Sequence, residues 1–356
     1  MADPGLPLPR NRHCVSESKM DQSNGFRALA VLAIAAVGCA MAACGGTGGT
    51  GTTSSLPDPH GTRSIRVGGT PVAVATGADG VWVADNTGSR VIEIDPASGH
   101  VAGRAIPVGA GPEAIAVGEG YVWVASGDGT VTRIDPGTHQ SRQASVKIPD
   151  PGGIAAGERS VWVTSQSKGT VTRLDPASLQ PAGNPIPVGA EPGDVAVGAG
   201  ATWVANSADG TVTRIGAATG RPEAPIQVAD YQVLGLCLGE GGVWVAKTDD
   251  RLAQRIEVAR IDPASSSISE AAAVIPAAIP VRLAAGDGGV WATLVGGVRP
   301  PEAKPRPGQV ALIDPADPSA SPRLLRAGER PQGIAVSDGA VWVANSGSGT
   351  VTRVEL

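Results

Sequence analysis

Aromatic residues are scarce: 356 positions hold one Phe, two Tyr and seven Trp. So few rings leave little material for stacking bases or sugars. Charged residues make up only 17% of the chain and their balance is −5, so no basic surface for nucleic acid is expected. Histidine is nearly absent, with His13, His60, His100 and His139 alone. There is no G-x-S-x-G elbow and no phosphate-cradling glycine loop, because the glycine runs fall in short hairpins and one tether. No acidic cluster has metal-ligating spacing, and neither a cofactor nor a metal is expected. These gaps disfavour a kinase, a dinucleotide-binding enzyme and a nucleic-acid binder.

Long apolar runs are equally rare. One stands out, residues 28–43 (ALAVLAIAAVGCAMAA), which follows Arg27 and stops at Cys44. It is shorter than the roughly 20 residues a membrane span needs and reads as the core of a signal peptide occupying residues 1–43. Met20 is an alternative start that gives a conventional leader. Met41-Ala42-Ala43-Cys44 resembles a bacterial lipobox, which implies lipidation of Cys44 and cleavage just before it. Residues 44–61 then form the lipidated cysteine and a flexible Gly/Thr/Ser tether. The expected location is the outer, extracytoplasmic side of a bacterial membrane, held by the lipid anchor. Of four cysteines only Cys237 lies beyond this segment, so no internal disulfide is expected.

What the chain has in quantity is glycine (50) and proline (30) beside 42% hydrophobic residues, a mixture suited to many short strands joined by tight turns. The seven tryptophans fall in one recurring phrase, usually V-W-V: Trp82, Trp123, Trp162, Trp203, Trp244, Trp291 and Trp342. A period near 40 residues with turn residues at fixed offsets is the signature of propeller blades. A glycine stands five residues before each Trp, replaced by Ser337 in the last repeat. An Asp-Pro turn follows at Asp95, Asp135, Asp175, Asp262 and Asp314. For the first repeat these landmarks predict strands at Val72–Thr76, Val81–Ala84, Val91–Ile94 and Arg104–Val108. The last repeat lacks a fourth strand, and Ser64-Ile65-Arg66-Val67 is the segment expected to supply it. Residues 62–356 thus read as an all-β, seven-bladed propeller of four-stranded antiparallel blades, closed by an N-terminal strand.

The units P-x-x-I-A-V-G, V-W-V-A-N and T-V-T-R-I-D-P, followed by I-P-V-G, resemble YVTN-type propeller repeats. They are also similar to the repeats of virginiamycin B (streptogramin) lyases. That resemblance implies a seven-bladed propeller, and in the lyases a His/Glu group with a divalent metal on one face. His100 and His139 fall between the third and fourth strands, on the opposite face, so no motif residue carries over.

The recurrent Trp set reads as core, and Arg133, Arg173, Arg214, Arg260 and Arg353, which share one slot, read as scaffolding that pairs with the turn aspartates. Function is expected where the repeat is broken. Between the second and third strands repeat five is about five residues and repeat six about ten residues longer than the other repeats, placing Lys247–Glu257 and Leu294–Gly308 on adjacent blades of one face. Surface loops tolerate such length cheaply, so these insertions are also compatible with no role. Tyr231, Lys247, Arg251, Arg299, Lys304 and Arg306 are the expected contacts of a binding rim.

A slot nine residues before each Trp holds Ala73, Ala114, Gly153, Asp194, Gly235, Arg282 and Gly333. Asp194 and Arg282 break a ring of small residues with opposite charge, either as a salt bridge that caps the central channel or as a polar site for a small ligand. Cys237 sits in a slot that is otherwise alanine and is expected to be buried and inert. The favoured reading is a monomeric, membrane-anchored interaction platform working through the top loops of blades 5 and 6. Its partner is an unidentified envelope or extracellular protein, or a small molecule. A streptogramin lyase-like enzyme and a small-ligand or metal sensor in the channel are the alternatives.

Overall fold

The computed structural model describes residues 59–249, 255–276, 282–295, 308–337 and 339–356. Every regular element among them is a β-strand, and the strands form seven antiparallel four-stranded sheets. In blade 1 the innermost strand Pro71–Gly77 is followed outward by Gly80–Asp85, Arg90–Asp95 and His100–Pro107. Blades 2 to 7 repeat the order from innermost strands Pro112–Gly118, Pro151–Gly157, Pro192–Gly198, Gln232–Gly239, Leu283–Gly286 and Pro331–Ser337. Blade 7 has three strands of its own and takes its fourth from Gly61–Arg66. That strand lies antiparallel to Thr350–Glu355, with Gly61 opposite Glu355 and Arg66 opposite Thr350. The closure is the one expected from sequence, with the strand starting three residues earlier and ending one residue earlier than Ser64–Val67. Below, the end of each blade carrying the link between second and third strands is the top, and the other end is the bottom.

Both faces of a blade meet another blade, so inner strands are buried on both faces and mostly apolar, as in Gly80–Asp85, where only the terminal Asp85 is charged. All seven tryptophans are buried, none more than 4% exposed. Each brings a large apolar area into the seam between blades. The indole N–H of Trp82 donates to the Gly77 carbonyl at 3.1 Å, Trp123 to Gly118 at 2.9 Å and Trp244 to Gly239 at 3.0 Å. The glycine five residues upstream is therefore the acceptor for the ring. In Trp203, Trp291 and Trp342 the indole N–H has no partner, a local cost that the buried rings outweigh.

The shared arginines lie directly across the strand pair from the tryptophans, as Trp123 opposite Arg133 and Trp342 opposite Arg353. Three cover their Trp rings, with guanidinium-to-centroid distances of 5.6 Å for Arg173, 5.5 Å for Arg214 and 5.2 Å for Arg353. Their hydrogen bonds differ from the expected pairing with turn aspartates. Arg133 donates to the Pro176 and Ala177 carbonyls of the next blade, and Arg353 to the Pro96 carbonyl of blade 1. The turn aspartates are engaged locally: Asp135 Oδ1 accepts from the amides of Gly137 and Thr138, and Asp262 Oδ1 from those of Ala264 and Ser265. Blade 1 inverts the arrangement. Glu93 occupies the arginine slot and meets His139 Nε2 of blade 2 at 2.9 Å, with the imidazole edge-on to Trp82.

At the bottom, first and second strands are joined by two residues of positive φ, such as Ala78-Asp79, Glu119-Gly120 and Glu240-Gly241. Positive φ at both central residues is the requirement of the type I′ turn. The first turn residue often carries a carboxylate that accepts from the next blade's turn. Glu119 takes the Arg159 amide at 2.9 Å, Glu158 the Gly200 amide at 3.0 Å, Glu240 the Gly288 amide at 3.1 Å and Asp287 the Gly339 amide at 3.1 Å. These links chain neighbouring blades around the bottom of the channel.

Candidate functional site

The top of each blade is fixed by the residue that ends its second strand. In blade 1 this is Asp85, buried, whose oxygens accept from the Thr70 and Gly88 amides and from Arg90 Nε at 2.8 Å. In blade 7 it is Asn345, which accepts from the Gly328 amide and donates to Thr350 and Thr352. The same residue thus ties the top hairpin to the link from the preceding blade.

Lys247 occupies the corresponding slot of blade 5, one residue before its second strand ends at Thr248, and makes two ion pairs, 2.9 Å to Asp249 and 3.2 Å to Glu257 across the strand pair. Burial disfavours its ammonium, but the hydrogen bonds it donates to these two carboxylates, with their charge, prevail and hold its pKa above the ordinary lysine value. Asp249 also accepts from the Asp230 amide at 2.8 Å, beside the half-buried Tyr231. Lys247 and Tyr231 thus both lie at the root of the long blade 5 loop, where Val233 pairs with Lys247. Arg251, Arg299, Lys304 and Arg306 lie outside the described residues, as does Cys44.

Asp194 and Arg282 are brought together. Both are buried, 4% and 3% exposed, and Arg282 Nη1 stands 3.8 Å from Asp194 Oδ2. Each also holds the innermost strand of blade 5 between them. Asp194 Oδ2 accepts from the Leu236 amide at 3.1 Å, and Arg282 Nη1 donates to the Leu234 carbonyl at 3.2 Å. The residue between is Gly235, where the pairing register of that strand shifts. The same shift recurs at this slot in five other blades. Space there is small: a Cβ on Gly333 would lie 2.6 Å from Ala73 Cα in blade 1. Burial pushes the Asp194 carboxyl up, while Arg282 and the Leu236 amide pull it down, and burial prevails. Asp194 Oδ1 has no hydrogen-bond partner.

Blades 3 and 6 share a further device that sequence reading passed over. Thr164 Oγ1 accepts from the Gly153 amide at 2.7 Å and donates to Gly193 of blade 4 at 2.8 Å. Thr293 Oγ1 accepts from the Arg282 amide at 3.0 Å and donates to Gln332 of blade 7 at 3.3 Å. The other blades have alanine at this position, and that contrast is the signal in the repeat. A second missed residue is Glu113, half-buried near the top of blade 2, whose pKa is pushed up to about 7 by burial and by the neighbouring Asp150 charge.

The histidines among the described residues all lie toward the bottom: His60 beside Glu355, His100 opposite Asp95, and His139 on Glu93. Among the described residues no three His, Cys, Asp or Glu side chains are grouped to hold a metal ion. Cys237 is buried.

No protein-family model and no curated protein matches the chain. Solved structures share its fold. A streptogramin B lyase aligns over 83% of this chain and 97% of its own at 19% identity, with a TM-score of 0.67. Virginiamycin B lyase from Staphylococcus aureus aligns over 83% and 99% at 16% identity, TM-score 0.68. Hydrazine synthase of Kuenenia stuttgartiensis aligns over 88% and 99% at 14% identity, TM-score 0.69. At such identities the likeness is one of fold: this chain is a seven-bladed β-propeller of the architecture found in the virginiamycin B lyases.

Proposed function

We propose that the chain is a lipid-anchored, extracytoplasmic propeller that binds a partner through the top loops of blades 5 and 6. One observation carries this: all length beyond the repeat falls in the link between second and third strands of these two adjacent blades. The links leave strands Gly242–Thr248 and Gly289–Leu294 and return at Arg255–Ile261 and Gln309–Ile313, so both rise from one face. The Lys247, Asp249 and Glu257 cluster supports the reading by giving the blade 5 loop a fixed base. Cys44 is the lipid attachment, and Tyr231, Arg251, Arg299, Lys304 and Arg306 are the contacts at which charge sets encounter and orientation.

The test is affinity capture from detergent-solubilised membranes with the intact protein and a variant whose two loops are cut to the length in other blades. A protein retained by the first and lost from the second supports the platform. Equal captures from a folded variant remove it. Lyase chemistry has less support, since His60, His100 and His139 lie toward the other face.

A second reading has one observation in its favour, the buried and unpartnered Asp194 Oδ1. An orphaned buried acceptor calls for a small hydrogen-bond donor. Thermal-shift screening of small amines and amides tests it, and a stabilisation that survives Asp194→Ala places the ligand elsewhere.

A further inference from the structure

We infer that the propeller presents its loop-bearing top face away from the lipid, so that its partner is a protein standing clear of the bilayer. This rests on the lipid-anchored, top-loop reading above and adds a direction to it. The direction comes from the closing strand. Gly61 lies opposite Glu355, and Glu355 lies opposite Ala340, the residue that opens the second strand of blade 7 just after its bottom turn. The His60 amide donates to the Glu355 carbonyl at 3.1 Å, so the chain is still at the bottom one residue earlier. The other end of the closing strand reaches the top hairpin, where the Val67 and Gly68 amides donate to Gly349. A tether running from Cys44 to His60 therefore joins the disc at the face opposite the blade 5 and 6 loops.

Strands of six or seven residues separate the bottom and top faces by about 20 Å. The face joined to the tether is therefore the nearer one to the headgroups, and the loops sit a further blade height away. In that orientation the top face is offered to a soluble or long-stalked protein rather than to one buried in the bilayer with short loops.

Two exposed alanines of blade 4 give a matched pair of probes: Ala208 in the top hairpin and Ala218 in the bottom turn after Thr211–Gly216. Full-length protein carrying Ala208→Cys or Ala218→Cys is purified from membranes and placed in phosphatidylcholine–phosphatidylglycerol vesicles. It is labelled with a donor dye and read by energy transfer to a headgroup acceptor. Cys237 is buried and stays unlabelled. Transfer from position 218 exceeding that from position 208 supports the orientation. Equal transfer, or more from position 208, overturns it while leaving the anchor intact. A parallel fractionation of wild type and Cys44→Ala separates the two failures. Wild-type protein that does not follow the membrane removes the anchor, and the orientation falls with it.

Discussion

At the scale of single residues, Asp194 and Arg282 show why a charge placed among glycines and alanines can persist. Each has a backbone partner in blade 5 as well as the other's charge, so neither is isolated in the interior. Removing one side alone strands the other. Arg282→Met is expected to cost about 3–5 kcal/mol in denaturant unfolding, because it leaves the Asp194 carboxylate buried without a counter-charge. The double variant Asp194→Ala with Arg282→Met is expected to cost less than the sum of its singles, and additive losses would argue that the two do not interact. Glu113 gives a pH signature. Its pKa is raised to about 7, so the folded state binds a proton that the unfolded chain releases near its ordinary value. The associated stability is full below the ordinary glutamate pKa and is lost as pH rises to about 7. Glu113→Gln is expected to flatten that part of the stability–pH curve, and an unchanged slope assigns it elsewhere. Sequence marked Asp194 and Arg282 because they broke a repeat. Glu113 drew no notice, because its shift comes from burial and from Asp150 on another blade.

At the scale of the blade, the repeat made strands, turns and core legible. Trp, the upstream glycine and the Asp-Pro turn recur within one unit, and each has a local physical role. What was not legible is what crosses from blade to blade. The glycines were visible as landmarks, but not that Gly77, Gly118 and Gly239 accept the indole N–H. The arginines were visible as a slot, but Arg133 and Arg353 reach turns of the following blade. A repeat shows what each unit needs, whereas seam contacts depend on how far one unit is rotated from the next. Arg133→Gln is therefore expected to destabilise by about 1.5–3 kcal/mol, the range for a hydrogen bond to a charged group. Hydrogen exchange should quicken first in the Asp175–Leu179 turn of blade 3, and a loss confined to blade 2 would place the role of Arg133 within its own blade. Lys247 is a related case. Sequence took it for an oddity on a binding rim, and its ammonium is held by Asp249 and Glu257 at the loop base.

At the scale of the whole molecule, the closing strand decides whether seven blades behave as a ring or as a row. A row of repeats leaves two ends at which unfolding can begin, while a closed ring has no free end blade. Here closure depends on Gly61–Arg66, in which Ile65 is the buried residue, opposite Val351 and packed into the core shared by blades 6, 7 and 1. Arg63 adds a bond from this strand to the Ser98 carbonyl of blade 1, beside the bond from Arg353 to Pro96. Proline at position 65 removes a buried apolar side chain and constrains the strand backbone. Ile65→Pro is expected to cost about 3 kcal/mol or more and to lower the melting temperature. The pattern of the loss is more telling than its size. With the ring opened, amide exchange should rise in Thr350–Glu355 and in the seam to blade 1, while blades 3 and 4, farthest from the break, keep their protection. Uniform loss of protection would mean that the seven blades unfold as one unit, with closure adding stability to all equally. Protection unchanged everywhere would mean that the three remaining strands of blade 7 hold the ring without the N-terminal one. The first pattern makes Gly61–Arg66 the latch of the propeller, so that a pull on the segment before it, as the proposed anchor would exert, is borne at its pairing with Thr350–Glu355.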